Sequence, residues 1–522
     1  MTPAATVARA AVGVAALTVV ARVVGFGRVG VLTRTVGTGC VGDAYTTANQ
    51  LPNVVFEVVA GGALAAAVVP LLAGAVARGD RERVSATASA LLSWTLLVLT
   101  PVTVVGVVVA PLLLRALAGA HPACGRPLLT EGTAMLRVFM PQVVLYGVAV
   151  VLSGILQAHR RFLGPALAPL LSSLVVVGTY LLYAAQGAQR LAGLSTARSL
   201  VLSVGTTLGV AALALPLLVP LRRCGLRLRP GLRFPPGAAR QARGLAASGV
   251  AGLATQQVAL LIALRLANGG REGDVVVLAV ATAVFQLPWA VLALPVATTA
   301  FPVLAARHAE SDERAYAAVA RQSLRAVLVL SAGASGLLVL LAGPAARLLA
   351  QGAEGTDRVA ALAATGRAFA PGLVGYALLA LLGRALLARG DARTPAMATV
   401  AGWAVVAAAD LVLVGATALP RTVALGLGNS IGMTVAAALL LVGLGRTAPL
   451  ALRGTTRTAG VSLLGGACVA AGTLLLPALP SSLSSALAVG TAVGLLGLGG
   501  YLLVVRVLDP QALRGLLKVA RV

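Results

Sequence analysis

Charged and aromatic residues are scarce in this sequence of 522 residues, because Asp, Glu, Lys and Arg make up 11% and Phe, Trp and Tyr 3%. A water-soluble chain of this length needs far more charge to cover its surface, so a soluble globular protein is excluded. Hydrophobic residues make up 59%, and apolar runs of the roughly 20 residues that cross a hydrocarbon core recur along nearly the whole chain. The sequence therefore predicts an all-α polytopic membrane protein.

Cysteine and histidine are also rare. The four cysteines are Cys40, Cys124, Cys224 and Cys468. They show neither C-x-x-C spacing nor a nearby histidine pair, so we expect them to be inert and no metal or redox centre to form. Cys40 and Cys124 fall in predicted loops on the same side, which leaves a disulfide between them open. The three histidines lie in predicted loops, and no Ser/His/Asp or paired-carboxylate arrangement occurs on one span, so neither an enzyme nor a cofactor is expected.

Apolar runs separated by polar breaks predict about fourteen transmembrane helices. Their approximate bounds are 10–33, 44–76, 86–113, 133–157, 162–184, 198–220, 241–268, 275–305, 323–350, 364–388, 395–417, 422–444, 457–477 and 484–505. The net charge of +26 does not indicate nucleic-acid binding, because the arginines sit in short loops between spans. They concentrate in alternate loops, above all in the loop after the sixth span, and the positive-inside rule then places both termini in the cytoplasm.

Three pairs of proline-containing segments recur at nearly one offset. They are 139–141 with 369–371, 50–52 with 286–288, and 70–73 with 302–305. This period predicts two six-helix repeats of the same orientation plus two C-terminal helices, an arrangement that transporters use to rock around a central site. The predicted parts are an N-terminal lobe (1–222), a basic cytoplasmic linker (223–240), a C-terminal lobe (241–446), and the last two spans with an amphipathic tail (447–522). Arg514, Lys518 and Arg521 in that tail are spaced to meet anionic membrane lipids.

Two arginines in the first span are candidates for binding substrate. Arg22 and Arg28 are six residues apart, and a charge at membrane depth usually faces a bundle interior or a cavity. Guanidinium groups there suit a diphosphate, because their planar forks bind phosphate oxygens bidentately. The alternative is that Arg28 snorkels, or pairs with Glu57 or Asp43.

Three acidic residues complete the candidate set. Asp43 stands at the start of the second span, where we expect it to cap that helix by accepting from free N–H groups. Glu57 follows within the same span, and Asp43 and Glu57 join Arg22 and Arg28 as the predicted substrate-binding residues. Asp410 lies in an otherwise apolar span, where it could bind a coupling cation or proton, or be a neutral buried acid.

Residues 21–73 resemble the opening of the MurJ/MviN family, the lipid II flippases of the multidrug/oligosaccharidyl-lipid/polysaccharide exporter superfamily. The segments 139–169 and 381–395 are also similar to that family. The resemblance implies a two-lobed helical fold whose spans 1, 2, 7 and 8 line a cationic cavity. It implies that undecaprenyl-diphosphate-linked peptidoglycan precursor crosses from the inner to the outer leaflet by alternating access, driven by sodium, protons or membrane potential.

Position by position, Arg22, Arg28 and Asp43 match family residues. The chain departs from the family pattern where members carry an arginine pair and it has Phe56 and Glu57, where they carry an acidic residue and it has Gly61, and where they carry an arginine and it has Ala283. The cavity is therefore less cationic than the family pattern. Glu57 before an Ala-Gly-Gly-Ala-Leu run resembles actinobacterial branches.

The leading hypothesis is a lipid II flippase of the bacterial cytoplasmic membrane, acting in peptidoglycan biosynthesis and so in cell shape. The alternatives are an exporter of another polyprenyl-linked glycan or of an amphipathic drug, and a non-transporting scaffold that recruits cell-wall synthesis proteins. In a scaffold, the basic sixth loop and the tail would contact these proteins, and the cavity arginines Arg22 and Arg28 would have no function in transport.

Overall fold

The computed structural model describes residues 3–58, 65–119, 121–187, 191–226, 228–234, 238–350, 356–475 and 483–512. Within these ranges the chain is helical and contains no strand, which confirms the all-α prediction. Gly61 and the tail residues Arg514, Lys518 and Arg521 lie outside the described residues. The helical fold is expected, because a hydrocarbon core offers no hydrogen-bond partner and each span must satisfy its own backbone.

The chain divides into two compact units, of which unit 1 comprises 1–257 and 268–276 and unit 2 comprises 258–267 and 277–522. The helices of unit 1 are α1 (Pro3–Thr35), α2 (Cys40–Val55), α3 (Ala65–Ala77), α4 (Arg81–Val108), α5 (Ala110–Ala118), α6 (Gly125–Phe139), α7 (Gln142–Ala158), α8 (Leu163–Ala185), α9 (Thr196–Ala214) and α10 (Leu218–Arg222). Two helices contribute residues to both units, α11 (Ala238–Asn268) and α12 (Asp274–Pro288).

The remaining helices belong to unit 2. They are α13 (Leu294–Ala309), α14 (Glu313–Ala350), α15 (Thr356–Phe369), α16 (Gly372–Ala388), α17 (Arg393–Ala416), α18 (Arg421–Thr447), α19 (Thr455–Ala471) and α20 (Leu483–Leu508). Over the described residues, ten helical segments are long and apolar enough to cross a membrane, and one bent pair, Asp357–Phe369 with Gly372–Ala388, makes an eleventh candidate. The predicted count of fourteen stays a prediction.

The recurring Phe-x-Pro motif interrupts a helix in the same way in each unit. In unit 1, α6 ends at Phe139 and α7 begins just after Pro141. In unit 2, α15 ends at Phe369, α16 begins just after Pro371, and the two helices meet at 43°. Each motif thus puts a buried phenylalanine at the end of one helix and a proline, which cannot extend the hydrogen-bond ladder, before the next.

Small residues bring neighbouring helices into close contact. On α9, Gly209 lies against Val176 of α8, and on α18, Gly432 lies so close to the backbone of α17 at Gly402 that an added Cβ would have to displace it. Lipid provides no hydrophobic drive for helix association, so van der Waals contact through such small residues supplies it. The abundance of Gly and Ala is therefore explained by close helix packing.

A disulfide joins Cys40, the first residue of α2, to Cys124, just before α6, with their Cα atoms 5.5 Å apart. The expectation that all four cysteines are inert is wrong for this pair. The helix α2 packs along α6 over many residues, which brings the two helix starts together although 84 positions separate them in sequence. Cys224 and Cys468 are free thiols.

Replacing Cys40 by serine should lower the free energy of unfolding by about 2–4 kcal/mol, because the bond closes a long loop in the unfolded chain. Thermal unfolding of the purified chain in detergent measures this, and reductant should lower the Tm of the unaltered chain similarly. The matched control is Cys468→Ser, which removes an exposed free thiol. Equal Tm values for the two variants would contradict the prediction.

Candidate functional site

Arg28 lies on α1 half-buried in unit 1, and Tyr45, Tyr146 and Tyr180 lie within electrostatic range of its guanidinium. Among the described residues, no carboxylate lies within 4.0 Å of it. The pairing of Arg28 with Glu57 or Asp43, which the sequence left open, is therefore absent from the described part of the chain. Within that part, Arg28 is a cation near three tyrosines with no carboxylate partner.

The tyrosines are fixed by a hydrogen-bonded network. Tyr45 shares a 2.9 Å hydrogen bond with the hydroxyl of Tyr180 and another with Thr206 of α9. The ring of Tyr45 also meets Phe139 and Tyr180 edge-on, with centroids 5.7 and 5.9 Å apart. Because each buried hydroxyl has a partner, this wall holds its shape around Arg28.

Arg22 is exposed, in contrast to Arg28. Six residues of α-helix separate the two by about 9 Å along the axis and by about 120° around it. The structure therefore does not bring these two arginines onto one face of α1. Arg28 is the one that faces the tyrosine wall.

Asp43 is fully buried, and its side chain caps the start of α12 rather than that of its own helix. Its Oδ2 accepts a 2.6 Å hydrogen bond from the amide of Gly273, and Oδ1 accepts a 3.3 Å bond from the amide of Val276. The expectation that Asp43 caps α2 is wrong, because Gly273 and Val276 present free N–H groups directly against it. A carboxylate at a helix N-terminus also gains from the helix dipole.

The cap is reciprocal. Glu272, just before α12, accepts a 2.8 Å hydrogen bond from the amide of Cys40, the first residue of α2. Two turns further along α2, Thr47 is hydrogen-bonded to Asn268, with both side chains buried. Each of the two helix starts thus receives its cap from the other, and the contact is tied to the Cys40–Cys124 disulfide through Cys40.

His121 completes this cluster. Its Nδ1 accepts from the amides of Ala123 and Cys124, so Nε2 carries the hydrogen and points at Asp43 Oδ2, 3.6 Å away. Asp43, His121 and Cys124 place their polar atoms within 4.8 Å of one another, a spacing that could hold a metal ion. In the oxidised chain, however, the sulfur of Cys124 is bonded to Cys40, and both Asp43 oxygens already accept from amides. The cluster is therefore built as a clasp between helix starts.

Glu57 is half-buried and belongs to a π-helical turn, residues 56–58, that follows α2. Beside it, Phe56 stacks on Tyr146 with ring centroids 4.4 Å apart, and Tyr146 donates a 3.0 Å hydrogen bond to Asn53. The charges of Glu57 and Arg28 both act on Tyr146, so these groups surround one patch of unit 1. An aromatic pair thus lies beside Glu57 at the end of α2.

Asp410 lies apart from this patch, in unit 2, where only 1% of its surface is exposed. The carboxyl rests against Gly428 of α18, which has no side chain to block it. Its Oδ1 is without a hydrogen-bond partner among the described residues. Asp410 is therefore a buried acid with an unfilled acceptor in the described part of the chain, which makes it a candidate for binding a proton or a small cation.

Sequence analysis missed the tyrosine wall, Glu272 and His121. A usable signal was the rarity of tyrosine, since three of the seven in the chain surround Arg28. Nothing in the sequence marks Glu272 or His121 as partners of residues more than 70 positions away.

The family model described as "Lipid II flippase MurJ" matches residues 32–495. The chain is 27% identical over 357 residues to the lipid II flippase MurJ of Burkholderia cenocepacia, covering 68% of each chain. It is 26% identical over 375 residues to the probable lipid II flippase MurJ of Rhizobium tropici, covering 71% of this chain and 69% of that one.

Two solved structures share the fold. One is titled "Lipid II flippase MurJ, inward closed conformation", with a TM-score of 0.76 at 17% identity, covering 96% of this chain and 100% of that one. The other is an inward-facing multidrug resistance MATE family transporter of the MOP superfamily, with a TM-score of 0.68 at 15% identity, covering 82% and 95%. Since the family model spans most of the sequence, the chain belongs to the lipid II flippase MurJ family.

Proposed function

We propose that this chain is a lipid II flippase that carries undecaprenyl-diphosphate-linked peptidoglycan precursor from the inner to the outer leaflet of the bacterial cytoplasmic membrane. Family membership supports the cargo, and the likeness to inward-closed and inward-facing structures supports alternating access. The observation that carries the proposal is Arg28, a half-buried cation at membrane depth without a carboxylate partner among the described residues. As a transporter, the chain needs no catalytic group.

Arg28 suits a diphosphate for a physical reason. An unpaired guanidinium at membrane depth is costly, and a bound phosphate supplies the opposite charge together with oxygens that fit its planar fork. Tyr45 and Tyr180 are occupied with each other, so they shape the wall and leave the charge of Arg28 available to the cargo. Arg22, exposed on another face, would meet the cargo at a different stage of transport.

The clasp formed by Asp43 and Glu272 is proposed to lie at the outer end of unit 1, with both termini of the chain in the cytoplasm. The disulfide beside it supports this orientation, since disulfides persist in an oxidising exterior. The arginines that follow α3, Arg78, Arg81 and Arg83, support it too, by the positive-inside rule. Asp43 is therefore a positioning residue that caps the start of α12 and ties it to α2, while Arg28 binds cargo.

Asp410 is proposed to couple transport to a proton or sodium gradient. Its carboxyl is enclosed by α17 and α18 and has one oxygen free to accept a proton or a cation. Occupancy of that oxygen changes the charge inside unit 2, which is the kind of change that can bias a transporter between two states.

A second cargo is favoured by one observation, the stacking of Phe56 on Tyr146 where the family pattern has an arginine. With fewer cations in the site, a polyprenyl-linked glycan with a less charged head group becomes a competing substrate. Expression of the chain in bacteria depleted of their own lipid II flippase separates the two cargoes.

Arg28→Ala should reduce lipid II transport at least about tenfold, because a charge-assisted hydrogen bond to phosphate is worth about 1.5–3 kcal/mol. The assay expresses the chain in bacteria depleted of their own lipid II flippase and measures lipid II at the cell surface. Arg28→Lys, which keeps the charge but loses the fork, should fall between. The control is Arg126→Ala, an exposed arginine of a predicted outer loop.

Full lipid II export by Arg28→Ala would refute the role given to this residue. If the unaltered chain inserts in the membrane but exports no lipid II, the cargo is a different polyprenyl-linked glycan.

Asp43→Asn should lower stability by about 1–3 kcal/mol, because an amide NH₂ replaces one oxygen that accepts a buried backbone N–H. It should also reduce transport, and Glu272→Gln should act in the same direction. Tm in detergent and surface lipid II are the two measurements. Asp391→Asn is the matched control, since that carboxylate caps its own helix at an exposed turn by accepting from Thr394. A control effect as large as that of Asp43→Asn would contradict the clasp.

Asp410→Asn should leave cargo binding intact but abolish the dependence of transport on the driving ion, because the amide can neither take up a proton nor balance a cation. Transport in vesicles with imposed proton or sodium gradients measures this. Gly428→Ala, which places a methyl group against the carboxyl, should impair coupling as well. Unchanged gradient dependence in Asp410→Asn would rule out this role.

A further inference from the structure

The segment 228–234, within the predicted basic linker, is docked on the side of α4. The amide of Arg229 donates a 3.0 Å hydrogen bond to Ser89, and the amide of Gly231 donates a 3.1 Å bond to Ser93, one helical turn further on. Next to them, the indole of Trp94 donates a 2.9 Å bond to the carbonyl oxygen of Leu232. These three hydrogen bonds hold the segment 228–234 along one face of α4.

A groove of about 680 Å³ runs between this segment and α4. One wall is formed by Pro230, Gly231 and Leu232, and the other by Leu96, Leu97 and Pro101. The walls are chiefly apolar, and the groove opens to the outside of unit 1. Its apolar lining suits a hydrocarbon chain.

The groove lies where α4 passes from polar surroundings into lipid. Polar residues are frequent up to Ser93, whereas from Leu96 onward the outward-facing side chains are mostly apolar, among them Leu97, Val104 and Val108 at 49%, 56% and 70% exposure. Trp94 stands at the boundary, as tryptophans at membrane interfaces do. The docked segment therefore sits at head-group level, above the acyl chains.

Two arginines adjoin one wall of the groove along the chain. Arg229 and Arg233 immediately flank the wall formed by 230–232, and both are exposed. Nearby, Arg161 donates to the carbonyl oxygen of Arg223, which adds two more exposed guanidinium groups to this end of the unit. None of these four arginines has a carboxylate within 4.0 Å in the described part of the chain.

The acidic groups at this end are Asp80 and Glu82, at the start of α4. Asp80 is engaged in capping that helix by accepting from the amide of Arg83. The four arginines outnumber these two carboxylates, so this end of unit 1 carries a net positive charge beside the apolar groove.

We propose that this groove is a binding site for an anionic glycerophospholipid of the proposed cytoplasmic leaflet. Arg229 and Arg233 hold the phosphate, and one acyl chain lies in the groove against Leu97 and Pro101. Charge complementarity selects this occupant, since a zwitterionic lipid offers the same chains but repays the arginines less. This site does not depend on the identity of the cargo. Lipid bound there would help to anchor unit 1 in the membrane through the linker.

The test is native mass spectrometry of the full chain in detergent, titrated with phosphatidylglycerol or phosphatidylcholine. Phosphatidylglycerol should bind about tenfold more tightly, and the double variant Arg229→Gln/Arg233→Gln should remove that preference. The matched control is Arg446→Gln/Arg453→Gln, which removes two exposed arginines from another predicted cytoplasmic loop and should change affinity less than twofold. Leu97→Trp, which fills the groove, should weaken the binding of both lipids by the same factor.

Equal affinity for the two lipids would overturn the proposal, and so would an equal loss in the control, which would indicate a diffuse positive field. Displacement of phosphatidylglycerol by undecaprenyl diphosphate at equimolar amounts would assign the groove to the cargo instead. Tm values within 2 °C or so of the unaltered chain show that the surface variants remain folded.

Discussion

The absence of hydrogen-bond partners in hydrocarbon governs this structure. Backbone groups are satisfied within helices, and side-chain hydroxyls turn back to their own helix, as Thr206 does with Leu202 and Ser331 with Val327. Helix starts cannot rely on water either, so α2 and α12 take their caps from each other through Glu272 and Asp43. Two charged residues differ from these: among the described residues, Arg28 has no carboxylate within 4.0 Å, and Asp410 keeps one buried oxygen without a hydrogen-bond partner. The proposed function rests on these two residues.

The lipid environment also explains the structural roles of glycine and proline in this chain. Helices in lipid associate by close contact, which Gly432 permits at the backbone of α17. Proline interrupts helices at equivalent points of the two units, so that Pro141 and Pro371 each separate a short helix from the following one. The repeated Phe-x-Pro motif thus interrupts a helix at the equivalent point in each unit.

The candidate site of unit 1 combines one cation with aromatic rings and hydroxyl groups. Phe56, just after α2, packs on Tyr146, and the hydroxyls of Tyr45 and Tyr180 share a hydrogen bond. Asp43 stands near the start of α2 but caps the neighbouring helix α12, so its carboxylate ties two helix starts together.

The sequence by itself determined the helical class, showed the internal repeat and made Arg28 a candidate, because hydropathy, a recurring motif and a charge within an apolar run can be read without the fold. Family resemblance determined the proposed cargo. Only the tertiary structure decided the rest: that Cys40 meets Cys124, that Asp43 caps α12, and that Arg28 is half-buried whereas Arg22 is exposed. These features arise from contacts between residues far apart in sequence, so they depend on how helices pack. No local pattern encodes which amide a carboxylate will meet.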